Sequence, residues 1–229
     1  MKKIICICVF IFSVTVIAQT TITKNLGDFT ILKVYNGIDL ELIKSKDQKV
    51  VISGEKASKV KIKNVDNTLK IYLPFSLKPE NNSADGKVLV KLYYNANIAT
   101  IDGNEGATIT GKEIKQDQLE VKSQERAFIN LVVNVKVLKV KSISGGIIKL
   151  TGSTTTQNVS TDLYGIYNGF DLKVKENSNV KAGTGAKAEI FAGTTLNAQV
   201  SFGGSIFYKG DTNLIKDKKV MGGIIKKRK

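Results

Sequence analysis

Histidine and tryptophan are absent from all 229 residues, and cysteine and proline occur only twice each. Without histidine there is no Ser-His-Asp triad, no Cys-His pair, no histidine zinc site and no histidine haem ligand. Without tryptophan the most effective flat platform for stacking a sugar ring is missing. Cys6 and Cys8 both precede Ala18, so no disulfide can staple the rest of the chain. Helical periodicity is also lacking. No window of a dozen residues carries a 3.6-residue apolar face with caps at both ends, and the nearest, Lys112 to Leu119, is short and polar. Beyond Ala18 no stretch approaches the roughly 18 continuous apolar residues that cross a bilayer. The strand-like runs are too short and glycine-interrupted for an outer-membrane barrel. The fold class is all-β.

The first residues read as an address. Lys2 and Lys3 precede an apolar run from Ile4 to Ile17, and Val16-Ile17-Ala18 places a cut after Ala18. This is the pattern of a secretory signal peptide, residues 1–18. Gln19-Thr20-Thr21 offers no cysteine for lipidation. The expectation is an exported, disulfide-free protein, residues 19–229 forming one domain, located in the periplasm, on the outer-membrane surface or outside the cell. Removing Lys2 and Lys3 from the 35 basic residues leaves 33 against 20 acidic ones, a net charge of +13. Such a balance suits anionic polymers such as acidic polysaccharide or other envelope components. Most lysines alternate with Ile, Val or Leu, as outward residues of strands do, but Lys226, Lys227, Arg228 and Lys229 form a terminal cluster. Nucleic acid is not an expected partner, since the chain is exported and offers no helix for a groove.

Glycine is plentiful, with 20 residues, and it recurs in a pattern. Ile101 to Gly111, Ser142 to Gly152, Lys181 to Gly193 and Val200 to Gly210 each join a glycine-rich turn to a β-branched run. Val121, Val140, Val159, Val180 and Val200 recur about every 20 residues, the scale on which stacked solenoids repeat. A unit this small cannot bury its apolar face alone and must stack on its neighbours. At about 3.3 Å per residue, 20 residues wrap one coil of three short sides, each coil rising about 4.8 Å. Glycines such as Gly103, Gly106, Gly145, Gly146, Gly165, Gly183, Gly185, Gly203 and Gly204 are expected at corners that bend with positive φ.

Residues 20 to about 94 read differently, as antiparallel or irregularly paired strands. Phe29 to Val34, Ile38 to Ile43, Val50 to Ile52, Val60 to Ile62 and Leu69 to Leu73 alternate in period two, and Asn36-Gly37 is a tight-turn dipeptide. Pro74 and Pro79 bracket a polar loop, which sets a soft internal boundary near 74–87 and a plausible contact site. Val88 to Tyr94 is expected to open the regular region.

These features together resemble the putative auto-transporter adhesin, head GIN domain family of exported bacterial proteins. The residues that carry the resemblance are Phe29 to Leu42, Val50 to Gly54, Asp66 to Ile71, the repeated Ser-Gly-Gly or Gly-x-Gly turns, and Phe202 to Gly210. The likeness implies a right-handed parallel β-helix with strand modules at its N-terminal end. It implies no catalytic residues and no cofactor. The sequence departs from the pattern between Gln118 and Val137, where Ser123-Gln-Glu-Arg126 stands in place of the glycines.

The expected function is a non-enzymatic, adhesin-like module of the envelope or surface, binding or structural, in contact with an anionic glycan. Tyr164 and Tyr167 are the leading binding candidates, with Lys226 to Lys229 as the electrostatic ones; the phenylalanines are expected to fill the interior. The competing class is a carbohydrate-active β-helix enzyme, which needs paired carboxylates. Asp102, Glu105, Glu125 and Asp162, with Arg126 and Lys141 as cations, are the residues available to it. Calcium corners of the Gly-Gly-x-Gly-x-Asp type lack their aspartates here, so no metal site is expected.

Overall fold

The computed structural model describes residues 21–229, so the leader read from Lys2 to Ala18 lies outside the described residues. They form a β-solenoid of about seven turns with a mixed sheet at the N-terminal end. Each regular coil has three sides. Strand Phe128–Ser142, for example, contributes Phe128–Leu131 to the second face, Val133–Val137 to the third and Lys139–Ser142 to the first face of the next coil, pairing in parallel with Thr108–Ser123 on one side and Ile147–Thr161 on the other.

The register converts the 20-residue repeat into apolar columns. On the first face Leu69, Leu32, Ile101, Val121, Val140, Val159, Val180 and Ala198 stack inward in that spatial order. Val200 was expected in this column but lies in the adjacent one, beneath Ala182. The reason is a short coil: Asn179 and Asn197 stand 18 residues apart, whereas Asn158 and Asn179 stand 21 apart. Those three asparagines bond one another through their side-chain amides, at 3.0 and 2.8 Å, on the outer surface.

Between the first and second faces all coils but one turn the same corner, the exception being Thr184-Gly185, where only Gly185 has a positive φ. Asn36-Gly37, Glu105-Gly106, Glu125-Arg126, Ser144-Gly145, Leu163-Tyr164, Phe202-Gly203 and Met221-Gly222 all have two consecutive positive φ angles, the type I′ pair. Successive corners are tied by backbone bonds, among them Gly106 N–H to Glu125 O (2.9 Å) and Gly145 N–H to Leu163 O (3.0 Å). The coil without glycines therefore keeps its corner, with Glu125 and Arg126 themselves left-handed. Gly146, Gly165 and Gly204 are not positive-φ residues, contrary to expectation. They follow the turn, where the chain passes under the previous coil: a Cβ there would lie 2.3, 2.0 and 2.2 Å from the carbonyl oxygens of Ser123, Ser142 and Ala182.

The interior departs from the expectation that phenylalanines fill it. Tyr94, Tyr167 and Tyr208 are buried, whereas Phe29 is the buried phenylalanine among the described residues, and Phe75 and Phe202 are exposed. Tyr167 fits because Ala188 lies beneath it and Gly169, two residues on, has no side chain: a Cβ at Gly169 would lie 2.5 Å from the ring. Its hydroxyl donates to Gln157 Oε1 (3.3 Å), and Gln157 Nε2 donates to Ser178 Oγ and Phe191 O.

At the N-terminal end the first coil is already complete in Ile31–Val34 and Asp39–Lys44. It pairs downward with Thr100–Gly103 and with the Thr108–Gly111 stretch of the next strand, and upward with Thr68–Tyr72 and Leu89–Tyr94. Leu89–Tyr94 thus belongs to the cap above the first coil rather than opening the regular region. Antiparallel strands Ile22–Asn25, Lys49–Ser53 and Lys61–Val65 close the top edge. The loop 74–87 crosses over the Asn36-Gly37 corner and is tied to it, Ala84 N–H donating to Asn36 O at 2.7 Å. At the other end, Asp217, Lys219 and Lys227 occupy the inward columns of Ala198, Val200 and Tyr208. Inward charges end the stack.

The two glycine roles differ measurably. Gly203→Ala, with open space around it and φ of +79°, is expected to cost about 1–2 kcal/mol of left-handed strain. Gly165→Ala carries no left-handed strain but must displace the Ser142 carbonyl, and denaturant unfolding should show a loss at least twice as large.

Candidate functional site

The cap crossover leaves a cleft of about 620 Å³ where the top of the first face meets the corner, lined by Tyr35, Tyr72, Phe75, Lys63, Lys70 and Glu105, with Asn36, Leu73 and Asn82. The residues come from three stretches. Tyr35 and Asn36 end the first coil, Lys63, Lys70 and Tyr72 point outward from the antiparallel pair Lys61–Val65 and Thr68–Tyr72, and Phe75 and Asn82 come from the loop. Phe75 is 84% exposed. The loop is nonetheless fixed: Lys56 Nζ donates to Ser83 O (2.6 Å), Lys59 Nζ to Asn81 Oδ1 (2.6 Å), and Asn82 bonds the Ser76 backbone through both its amide atoms. Asn36 braces the floor, donating to Glu105 Oε2 (2.6 Å) and accepting from Leu73 N–H (3.0 Å).

A row of lysines leads out of the cleft. Antiparallel pairing of Lys63 with Lys70, and parallel pairing below them, puts Lys63, Lys70, Lys33, Asp102, Lys122, Lys141, Ser160, Lys181, Gln199 and Lys218 in one outward column down the first face. Adjacent positions are about 4.8 Å apart. Asp102 is the one acid in the column and is spent within it, 3.7 Å from Lys33 Nζ and accepting from Asn104 Nδ2 (3.1 Å). A second cleft of similar volume on the third face is lined by Lys115, Lys136, Lys173, Lys175 and Asp117 and has no aromatic ring.

The acids of the site favour their protons. Burial pushes the Asp102 carboxyl above the usual range, opposed mainly by Lys33. Burial and then the Glu125 charge raise Glu105. Tyr35 is raised by burial and by Asp102, Glu105 and Glu125, which keeps its hydroxyl a donor. The cleft therefore offers aromatic faces, amides, a phenol and two lysines, an arrangement that holds a polar ring by stacking and hydrogen bonds and an anion by charge.

The model of the family described as putative auto-transporter adhesin, head GIN domain, matches residues 28–212. The chain belongs to this family. Three solved structures share its fold. A putative adhesin from Bacteroides fragilis is 19% identical, with a TM-score of 0.80 over 92% of this chain and 97% of its own. A putative adhesin from Parabacteroides merdae is 19% identical, TM-score 0.67, over 92% and 96%. A protein from Parabacteroides distasonis described as a putative lipid binding protein is 18% identical, TM-score 0.67, over 92% and 97%. No curated protein matches the sequence.

The residues singled out from sequence do not form one site. Tyr167 is a core residue, its ring sealed over Ala188 and its hydroxyl bonded to Gln157, so it does not reach a ligand. Tyr164 is 69% exposed on the corner column, several coils from the cleft. Lys226 and Lys227 end the last strand, Ile224–Lys227, with Lys227 3.2 Å from Asp211, and Arg228 lies over the Phe207 ring at 4.2 Å; the cluster is an ordered edge rather than a loose tail. Glu105 lines the cleft, while Glu125 and Arg126 occupy the next corner below it. Sequence reasoning marked the 74–87 loop but missed Tyr35, Lys63, Lys70 and Tyr72, for which the Asn-Gly turn and outward strand positions were the available signal.

Because Asp102 holds its proton better folded than unfolded, its contribution to stability is whole below the unfolded value and is lost as pH rises through the folded one. The melting temperature of Asp102→Asn relative to the parent should rise steadily between acid and neutral pH. A constant or falling difference would contradict the assignment.

Proposed function

We propose that this protein is a non-enzymatic surface module of the adhesin type that holds an acidic polysaccharide, one sugar unit in the aromatic cleft and the polymer along the lysine column. The observation that carries the reading is the continuity between Lys63 and Lys70 in the cleft and the cations below them at regular spacing. A linear polyanion meets such a column with many weak charge contacts, each screened by salt. Stacking on Tyr35, Tyr72 or Phe75 adds the orientation that charge alone lacks. Family membership supports a surface role, and no helix among the described residues is long and apolar enough to cross a membrane.

Binding to alginate and to dextran, measured by titration across a salt series, tests this reading. Alginate is expected to bind with a steep loss as salt rises, and dextran weakly. Reversing both cleft lysines, Lys63→Glu with Lys70→Glu, should weaken alginate binding about tenfold. Tyr72→Ala should cost about fivefold at constant salt dependence. Unsaturated or shortened products in the same samples would replace this reading with an enzyme acting through Asp102, Glu105 and Arg126.

A further inference from the structure

The lower half of the corner column is built from residues that its backbone disfavours. Leu163 (φ 46°), Tyr164 (63°), Phe202 (49°) and Met221 (54°) are all left-handed, a conformation that costs a bulky L-residue roughly 1–2 kcal/mol and suits glycine or asparagine. Elsewhere in the column the left-handed positions hold glycine or the polar residues Asn36, Glu105, Glu125, Arg126 and Ser144, so large apolar side chains occur there only in the lower half. The four side chains are 49%, 69%, 55% and 73% exposed, although the Tyr164 ring lies against Gly185 of the next coil. Ile224, 50% exposed, continues the patch on the adjoining strand. Three corners, with Thr184-Gly185 between the first two, thus carry an apolar ridge that spans four coils, about 14 Å at 4.8 Å per rung. Backbone strain accepted at exposed apolar positions is a mark of contact rather than of packing.

The charge around the ridge identifies what it meets. Lys141, Lys181 and Lys218 flank it on the first face and Lys226 on the second, where Lys187 is paired with Glu189 at 3.0 Å. The nearby acid Asp162 is turned inward to the corner, its Oδ1 accepting the N–H groups of Leu163 and Thr184, both at 2.8 Å. An apolar edge with tyrosine at its margin and lysines on both flanks is complementary to an anionic lipid surface: the tips enter the headgroup boundary while the ammonium groups meet lipid phosphates. We infer that Leu163, Tyr164, Phe202 and Met221 form an edge that docks this protein onto an anionic bilayer. The edge lies apart from the aromatic cleft, although it shares Lys141, Lys181 and Lys218 with the lower part of the lysine column.

Co-sedimentation with vesicles tests the assignment, comparing phosphatidylcholine alone with phosphatidylcholine mixed with phosphatidylglycerol. The protein should sediment with the mixed vesicles and not with the neutral ones. Phe202→Asn with Met221→Asn should bind the mixed vesicles about tenfold less or weaker still, while melting no lower than the parent, since asparagine relieves the left-handed strain. Its alginate binding should be unchanged, whereas Lys63→Glu with Lys70→Glu should leave vesicle binding unchanged, so the two surfaces fail separately. A polarity-sensitive dye on Met221→Cys, with Cys6→Ser and Cys8→Ser, should shift to the blue on mixed vesicles, and the same dye on Asp117→Cys should not. Equal binding to both vesicle types, no dye shift, or a ridge that instead mediates self-association lost in the double variant would each overturn the inference.

Discussion

Each coil of this protein hydrogen-bonds to the next through parallel ladders held in register, and a parallel ladder places every side chain above its counterpart one rung away. Whatever a position carries is therefore repeated as a column. Inward, the repetition is the source of the core: Leu, Ile and Val columns bury one another where no single coil could. Outward, it has no such reward. Like charges directly opposite on neighbouring strands are destabilising, by up to about 1 kcal/mol a pair. The column from Lys63 to Lys218 keeps Lys63, Lys70 and Lys33 adjacent and Lys122 beside Lys141, relieved by Asp102 and by Glu120, which lies 3.0 Å from Lys122, and the fold does not require it. Folding alone explains the inner columns; the outer lysine column needs another explanation, and a polyanionic partner provides one.

A stack of parallel strands must also stop, and the two ends stop differently. At the C-terminal end, charges in the inward columns make another coil unfavourable, a local solution that leaves the surface unremarkable in shape. At the N-terminal end, the chain itself returns over its first coil and closes the edge with antiparallel strands. That return has to cross the corner column once, and the crossing segment is the 74–87 loop. The cleft is the space left beneath the crossing. Its position is thus a consequence of how the solenoid is capped, and its rigidity comes from the lysine and asparagine bonds that pin the loop.

The parts of this structure that could be read from sequence are those that repeat. Val121, Val140, Val159 and Val180 declared the coil length, and the glycine-rich turns declared the corners, because periodicity survives in one dimension. The cap does not repeat, so residues 20 to 94 offered alternation without pairing partners, and the insertion of the first coil between two later segments left no trace. Tyr35 and Glu105 are 70 residues apart and share a cleft only through that topology. The aromatic assignment failed for a different reason. A tyrosine can be buried when its hydroxyl has a partner such as Gln157 and its ring has a gap such as Gly169, and neither condition is visible at Tyr167 itself. Glycine composition likewise conflated two causes, positive φ in the turn and close approach just after it.

The corner column joins these arguments. Its type I′ geometry recurs down the stack, with Thr184 the exception, so residues there are held left-handed whether or not their side chains suit that conformation. Near the cap, Asn36 and Gly37 suit it and Asn36 serves the cleft floor; toward the C-terminal end, leucine, tyrosine, phenylalanine and methionine do not. Seven rungs, about 34 Å, separate Asn36 from Met221 along the same edge. A solenoid has little freedom to bend, because each rung is bonded to both neighbours, so the distance between its two ends is set by the number of coils. The lysine column runs beside this edge for its whole length. A module built in this way presents a polar cleft and an apolar ridge at a fixed separation, which is the geometry needed to keep a bound polymer at a constant height above a surface.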